Sequence, residues 1–219
     1  GDLDHDGDPD VVAGLRWNGT VICTNGDEGW SVSSLQNTYC WQVLIADFNG
    51  DSHPDIFNGT DWDYIRIFYG DGSGGFTEGP APVSEAINGH AKGFSAIDVN
   101  GDGRVDLIGV ASEWNASQTN QSFLRVYLNE DDAGSIAWSS SVGPAESFAG
   151  YPCWMESQPG TAGDFDADGC IDQITYHSDS TICIFWGGKE NDSLYWKPDT
   201  MGQMIEITSS GTCVGDLNS

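Results

Sequence analysis

Four nine-residue stretches decide the fold: Asp2-Leu-Asp-His-Asp-Gly-Asp-Pro-Asp10, Asp47-Phe-Asn-Gly-Asp-Ser-His-Pro-Asp55, Asp98-Val-Asn-Gly-Asp-Gly-Arg-Val-Asp106 and Asp164-Phe-Asp-Ala-Asp-Gly-Cys-Ile-Asp172. All obey one pattern, Asp-x-(Asp/Asn)-x-Asp-(Gly/Ser)-x-x-Asp, and a fifth copy begins at Asp216-Leu-Asn218. Their starts lie 45, 51, 66 and 52 residues apart, a period that belongs to propeller blades and similar arrays. Short carboxylate and amide arms at alternate positions of a curled loop converge on one point, and Ca2+ takes roughly six to eight such oxygens.

This reading makes side-chain ligands of Asp2, Asp4, Asp6 and Asp10 in the first loop and of Asp47, Asn49, Asp51 and Asp55 in the second. The third loop offers Asp98, Asn100, Asp102 and Asp106, the fourth Asp164, Asp166, Asp168 and Asp172. Position 7 supplies a backbone carbonyl, so its side chain is free to vary as Asp8, His53, Arg104 and Cys170. Gly7, Gly103 and Gly169 at position 6 relieve the tight turn, whereas Ser52 departs from glycine and marks the second loop as the weakest. Asp, Asn and Gly also make ordinary turns. Four copies with carboxylates in one register, however, repel strongly without a cation. Mg2+ fits less well, because it demands octahedral geometry and keeps its waters.

EF-hands and dockerins share the opening of this motif, but position 12, where an EF-hand needs a bidentate Glu, is here Ala13, Asn58, Gly109 and Thr175. Strand-like runs follow each loop: Val11-Val-Ala13, Ile56-Phe57, Leu107-Ile-Gly-Val110 and Gln173-Ile-Thr-Tyr176. Third strands align as Thr20–Thr24, Tyr64–Tyr69, Phe123–Leu128 and Thr181–Trp186, each alternating or continuously apolar. The second copy shows the whole unit: an entry strand Trp41–Ala46, the loop, two strands, and the turn Gly70-Asp-Gly-Ser-Gly-Gly75 before a fourth. The chain also holds 25 Asp against 9 Glu and 29 Gly, a choice that favours turns and metal over helix surfaces.

At this point the sequence resembles the FG-GAP/VCBS repeat family. That resemblance implies an all-β fold of β-propeller blades, four-stranded antiparallel sheets with calcium loops between their first two strands. It also implies that the loop residues named above are calcium ligands. Such repeats build integrin α-subunit heads, fungal lectins, certain polysaccharide lyases and secreted adhesins. The Gly-Ala-Pro of the integrin form is absent, replaced by Gly109-Val-Ala111 and Asn58-Gly-Thr60, so the chain looks nearer the VCBS type. The family's rings usually hold seven or eight blades, and Gly215-Asp-Leu-Asn218 duplicates Gly1-Asp-Leu-Asp4. The expectation is one propeller segment, residues 1–219, of a longer repeat array.

Length and composition bound the function. With 219 residues, 38% hydrophobic, the chain is large enough for a core and is not disordered. No run of 18 apolar residues occurs, and the opening Gly-Asp-Leu-Asp is no leader, so neither a membrane span nor a signal peptide is expected. A net charge of -27 repels nucleic acid and anionic lipid alike.

Six cysteines, at 23, 40, 153, 170, 183 and 213, favour disulfides and an oxidising, extracellular compartment, with buried thiols as the alternative. Zinc is disfavoured, since no Cys-x-x-Cys occurs and the four His are scattered. Five sequons, at Asn18, Asn58, Asn115, Asn120 and Asn191, exceed the roughly two that chance supplies and point to a secreted glycoprotein.

Gly70–Gly75 matches Gly-x-Gly-x-x-Gly but lies in a hairpin rather than at a helix start, so it reads as a turn. No Gly-x-Ser-x-Gly, His-Glu-x-x-His or Walker motif occurs, and no enzymatic activity is expected. Among the nine Trp, Trp30, Trp41, Trp138, Trp186 and Trp196 read as core, while Trp17, Trp62, Trp114 and Trp154 lie near turns, where aromatic faces can stack on sugars.

The function read from these features is a non-catalytic, extracellular, calcium-stabilised repeat module for adhesion, recognition or structural assembly. The alternatives are a lectin propeller and the propeller domain of a polysaccharide lyase or hydrolase. Expected partners are further blades or domains of a longer chain, a protein or carbohydrate ligand, and copies of itself.

Overall fold

The computed structural model describes residues 1–37, 39–60, 65–80, 89–114, 120–132, 135–142, 148–149, 161–178, 181–191 and 193–199. Among these there is no helix. The described residues form sixteen strands in four antiparallel sheets. The first contains β1 (Val11–Leu15), β2 (Gly19–Gly26) and β3 (Gly29–Gln36), in that order. The second runs β4 (Gln42–Ala46), β5 (Asp55–Gly59), β6 (Arg66–Gly70), β7 (Phe76–Glu78).

The third runs β8 (Gly89–Ile97), β9 (Asp106–Trp114), β10 (Asn120–Asp132), β11 (Ser135–Val142). The two-residue β12 (Phe148–Ala149) pairs with β10 at Gln121 and Ser122, beyond the stretch that β11 covers. The fourth runs β13 (Thr161–Gly163), β14 (Asp172–Ser178), β15 (Thr181–Glu190), β16 (Ser193–Asp199). In the last three sheets the Asp-rich loop joins the first strand to the second, as the blade reading requires.

Each sheet is a meander, so hairpins set the register. The sheets stack in chain order: β1 lies against β4, β4 and β5 against β8, and β8 and β9 against β13. Interior strands are therefore covered on both faces, and the period of two sends successive side chains into different cores. On β5, Ile56 packs with Leu3, Ile22 and Phe68, while Phe57 packs with Phe48, Ile67, Phe94 and Leu107. On β9, Leu107 joins that second core, whereas Ile108 joins Val99, Leu124, Val126, Phe185 and Trp196.

A polar strut ties the second sheet to the third. Gln42 Oε1 accepts the Gly93 and Phe94 N–H groups, both at 2.9 Å, and its Nε2 donates to the Phe94 carbonyl at 2.7 Å. These bonds satisfy the backbone of β8 where its pairing with β9 shifts between Ala91 and Phe94.

Several expectations need correction. Trp30, on the outermost strand β3, is 59% exposed rather than core. Trp196 is buried, Trp138 packs half-buried against the second core, and Trp17 is 65% exposed. The Trp62 and Trp154 residues and the Trp114 side chain lie outside the described region. Cys23, Cys40 and Cys170 carry free thiols, so the disulfide expectation fails at these three. The side chains of Cys153, Cys183 and Cys213 lie outside it. Burial pushes the Cys40 thiol up, keeping it protonated and inert.

Asn58 is fully buried and its Nδ2 donates to Thr20 Oγ1 at 2.7 Å. No glycan fits there, and that sequon is a packing group. Asn18 and Asn191 are exposed in turns, whereas Asn115 and the Asn120 side chain lie outside the described region.

Candidate metal centres

The four loops share one construction, built around their last residue. Asp10, Asp55, Asp106 and Asp172 are buried, and each carboxylate takes two backbone donors. Oδ2 accepts the N–H of position 2: Leu3 at 2.7 Å, Phe48 at 2.7 Å, Val99 at 2.8 Å and Phe165 at 2.8 Å. Oδ1 accepts an N–H from the end of the third strand: Asn25 at 2.9 Å, Gly70 at 2.9 Å, Asn129 at 2.7 Å and Gly187 at 2.7 Å. Position 9 is thus a strut that pins loop to sheet, a role beyond the ligand role that spacing suggested.

Desolvation raises the pKa of Asp55 to about 6 against these two N–H bonds, and raises Asp106 and Asp172 for the same reason. Position 2 is the second anchor: Leu3, Phe48 and Val99 sit in the three cores.

Position 1 gathers the turn. Asp47 accepts the N–H groups of Gly50, Asp51 and Ser52, and Asp98 those of Gly101, Asp102 and Gly103. Asp164 accepts those of Asp168 and Gly169. The carboxylate at position 5 accepts the position 7 N–H in every loop: Asp6 from Asp8, Asp51 from His53, Asp102 from Arg104, and Asp168 from Cys170.

The curl places positions 4 and 6 both at positive φ. Sequence reasoning found only position 6; the signal for position 4 was the Asn-Gly step at Asn49-Gly50 and Asn100-Gly101. His5, Ser52 and Ala167 hold this conformation without being glycine, at φ 59°, 71° and 62°. Since the left-handed region costs a non-glycine residue about 1 kcal/mol or more, Ala167→Gly is expected to stabilise the fold by about 0.5 kcal/mol, net of unfolded-state entropy. A thermal melt checks this, and a lower melting temperature in the variant counts against the strain.

The loops differ in how their carboxylates are spent. Asp2, Asp4 and Asp10 bring oxygens within 4.8 Å of one another, as do Asp164, Asp166 and Asp172. Oxygens about 2.4 Å from one Ca2+ span such distances. Asp2 Oδ1 is shut from solvent with no hydrogen-bond partner among the described residues, a costly state for an anionic oxygen unless a cation meets it. These residues fit a hard cation.

In the second and third loops the position 3 amides are knitted inward: Asn49 Nδ2 donates to Asp51 Oδ2 at 2.9 Å, and Asn100 Nδ2 to Asp102 Oδ2 at 3.0 Å. In the third, Arg104 Nη2 also pairs with Asp102 at 2.6 Å and its Nε donates to the Asn129 carbonyl at 2.6 Å. An internal cation thus neutralises part of that loop. The first two loops touch through His5 Nε2 and His53 Nδ1, 3.1 Å apart.

Gly70–Gly75 is the β6–β7 hairpin, with Asp71 accepting the Ser73 and Gly75 N–H groups at 2.8 and 2.9 Å. Gly70 and Gly187 have a packing reason to be glycine: a Cβ there would sit 2.3 Å from the carbonyl oxygen of position 8, Pro54 or Ile171.

Antiparallel meanders of three to five strands stacked on one another, each carrying an Asp-rich loop before its Asp10-, Asp55-, Asp106- or Asp172-led strand and pinned by that carboxylate, define an all-β blade-repeat protein. Residues 2–58 and 47–109 each match the FG-GAP-like repeat, each match running from one loop through the next, and the chain belongs to that family. No curated protein matches the chain.

Proposed function

We propose that this chain is a non-catalytic, calcium-stabilised recognition and adhesion module that works outside the cell. The observation that carries it is the buried, unpartnered Oδ1 of Asp2 beside Asp4 and Asp10, repeated as a carboxylate trio at Asp164, Asp166 and Asp172. FG-GAP-like repeats are commonly extracellular, and no helix among the described residues is long and apolar enough to cross a membrane.

In this reading Asp2, Asp4 and Asp10, and likewise Asp164, Asp166 and Asp172, hold the ion. Bound calcium supplies positive charge that offsets carboxylate repulsion and fixes the turn. The chain's own residues do the rest: position 9 ties each loop to its sheet and position 2 roots it in the core. The rigid loops then hold neighbouring blades in place, and the opposite turns present the recognition surface.

The test is a melt in chelator and in saturating Ca2+. A ligand at about 100 times its Kd adds roughly 2.7 kcal/mol per independent site. Two sites therefore raise the melting temperature by about 10 °C or more, and Asp2→Asn and Asp166→Asn each remove about half of the gain. Identical melts with and without Ca2+ would remove the reading. A carbohydrate-recognition version is favoured by one specific feature, the exposed aromatic cluster around Trp17.

A further inference from the structure

At the end of the first sheet opposite its Asp-rich loop, the β1–β2 turn meets the segment that leads from β3 into β4. Arg16 and Trp17 come from the turn, Tyr39 and Trp41 from the segment. The Arg16 guanidinium carbon lies 4.2 Å from the Trp41 ring centre and 5.1 Å from that of Trp17. Trp17 and Tyr39 meet edge to face with centres 5.0 Å apart. The outer rings stay open to solvent, Trp17 at 65% and Tyr39 at 41% exposure, and Arg16 is exposed too.

Ring contacts occupy the faces of a guanidinium but leave its N–H donors, which lie in its plane, pointing outward. No carboxylate among the described residues pairs with Arg16. In a chain with only 7 Lys+Arg against 34 Asp+Glu, an exposed arginine with no acid partner among the described residues, held between indoles, is a local exception to the charge balance. A quaternary ammonium ligand is ruled out, because Arg16 already fills the cation position between the rings.

We propose that Arg16, Trp17, Tyr39 and Trp41 form a binding site for an acidic saccharide. The guanidinium fork takes a uronate carboxylate, and the open Trp17 and Tyr39 rings stack on the apolar face of a pyranose. This deepens the recognition reading above, but the site stands at the far end of the sheet from the metal loops and needs no calcium.

The test is binding of an oligogalacturonide, followed by tryptophan fluorescence and calorimetry at about 0.15 M salt, where charges more than about 8 Å away are screened. The same oligomer with its carboxylates methyl-esterified, and a hexaglutamate peptide, serve as comparison probes. Binding of the acid oligomer is expected to persist in EDTA, to fall at least tenfold for R16A and for the methyl ester, and to be lost for W17A. Both residues are exposed, so the variants should melt with the parent. Binding that requires calcium and ignores Arg16 would place the oligomer on the metal loops and overturn the proposal. So would equal binding of acid and ester, displacement by hexaglutamate at equal concentration, or no binding at all. The chelation melt reads the calcium proposal separately, so either can fail alone.

Discussion

Asp55→Ala is expected to cost about 3–5 kcal/mol, whether or not metal is bound, and to lower the melting temperature by about 10 °C or more. Asp55 is fully buried, and its two oxygens are the acceptors for Phe48 N–H and Gly70 N–H. Alanine leaves both donors unpaired at the junction of loop, β5 and β6. The loss is not offset by relief of the carboxylate's desolvation, because two buried N–H groups are then stranded together. Asp55→Asn keeps one acceptor and turns an NH2 toward the other donor, so it should fall roughly midway. Asp51→Ala is the comparison: its side chain is exposed and accepts only short-range bonds within the loop, so in EDTA it should cost about 1 kcal/mol or less. Urea unfolding of the three variants in EDTA separates strut from ligand. An Asp55→Ala loss no larger than that of Asp51→Ala would refute the strut.

That distinction marks where the sequence stopped being legible. Spacing alone identified the loops, their register and the strands that follow, because a nine-residue pattern repeated four times is local information. Spacing also placed Trp17 at an exposed turn. It could not show that the last Asp of each loop binds N–H groups fifteen or more residues downstream, such as Gly70, Asn129 and Gly187. Those partners are brought in by sheet register, which no window of sequence contains. Asn58 shows the same limit from the other side. Its sequon is complete, yet the neighbouring sheet places Thr20 against its amide. The cysteines misled because an even count says nothing about distance: Cys40 packs against Gly14 rather than against another thiol. Position 2, written as any residue in the motif, is apolar in every copy, and that regularity was readable but unread.

The pH dependence of stability should reverse sign with calcium. In the metal-free protein Asp55 has a folded-state pKa of about 6, against roughly 3.9 unfolded. The folded state therefore holds the proton more tightly, and lowering the pH from 7.5 to 4 stabilises it, by about 2 kcal/mol from this group alone. Asp106 and Asp172 are shifted in the same direction by the same burial, and a chain of net charge -27 loses self-repulsion over the same range. The calcium-saturated protein faces the opposite balance. The ion needs deprotonated carboxylates, so acid displaces it and removes the stability that binding had added. The EDTA curve should rise toward acid while the calcium curve falls, and the two should meet near pH 4 to 5, where the loops no longer hold the ion. Melting temperatures measured from pH 4 to 8 in each buffer decide the matter. Curves that run parallel would show that no cation is bound, and an EDTA curve that falls toward acid would show that the buried carboxylates are stabilised as anions by their N–H partners.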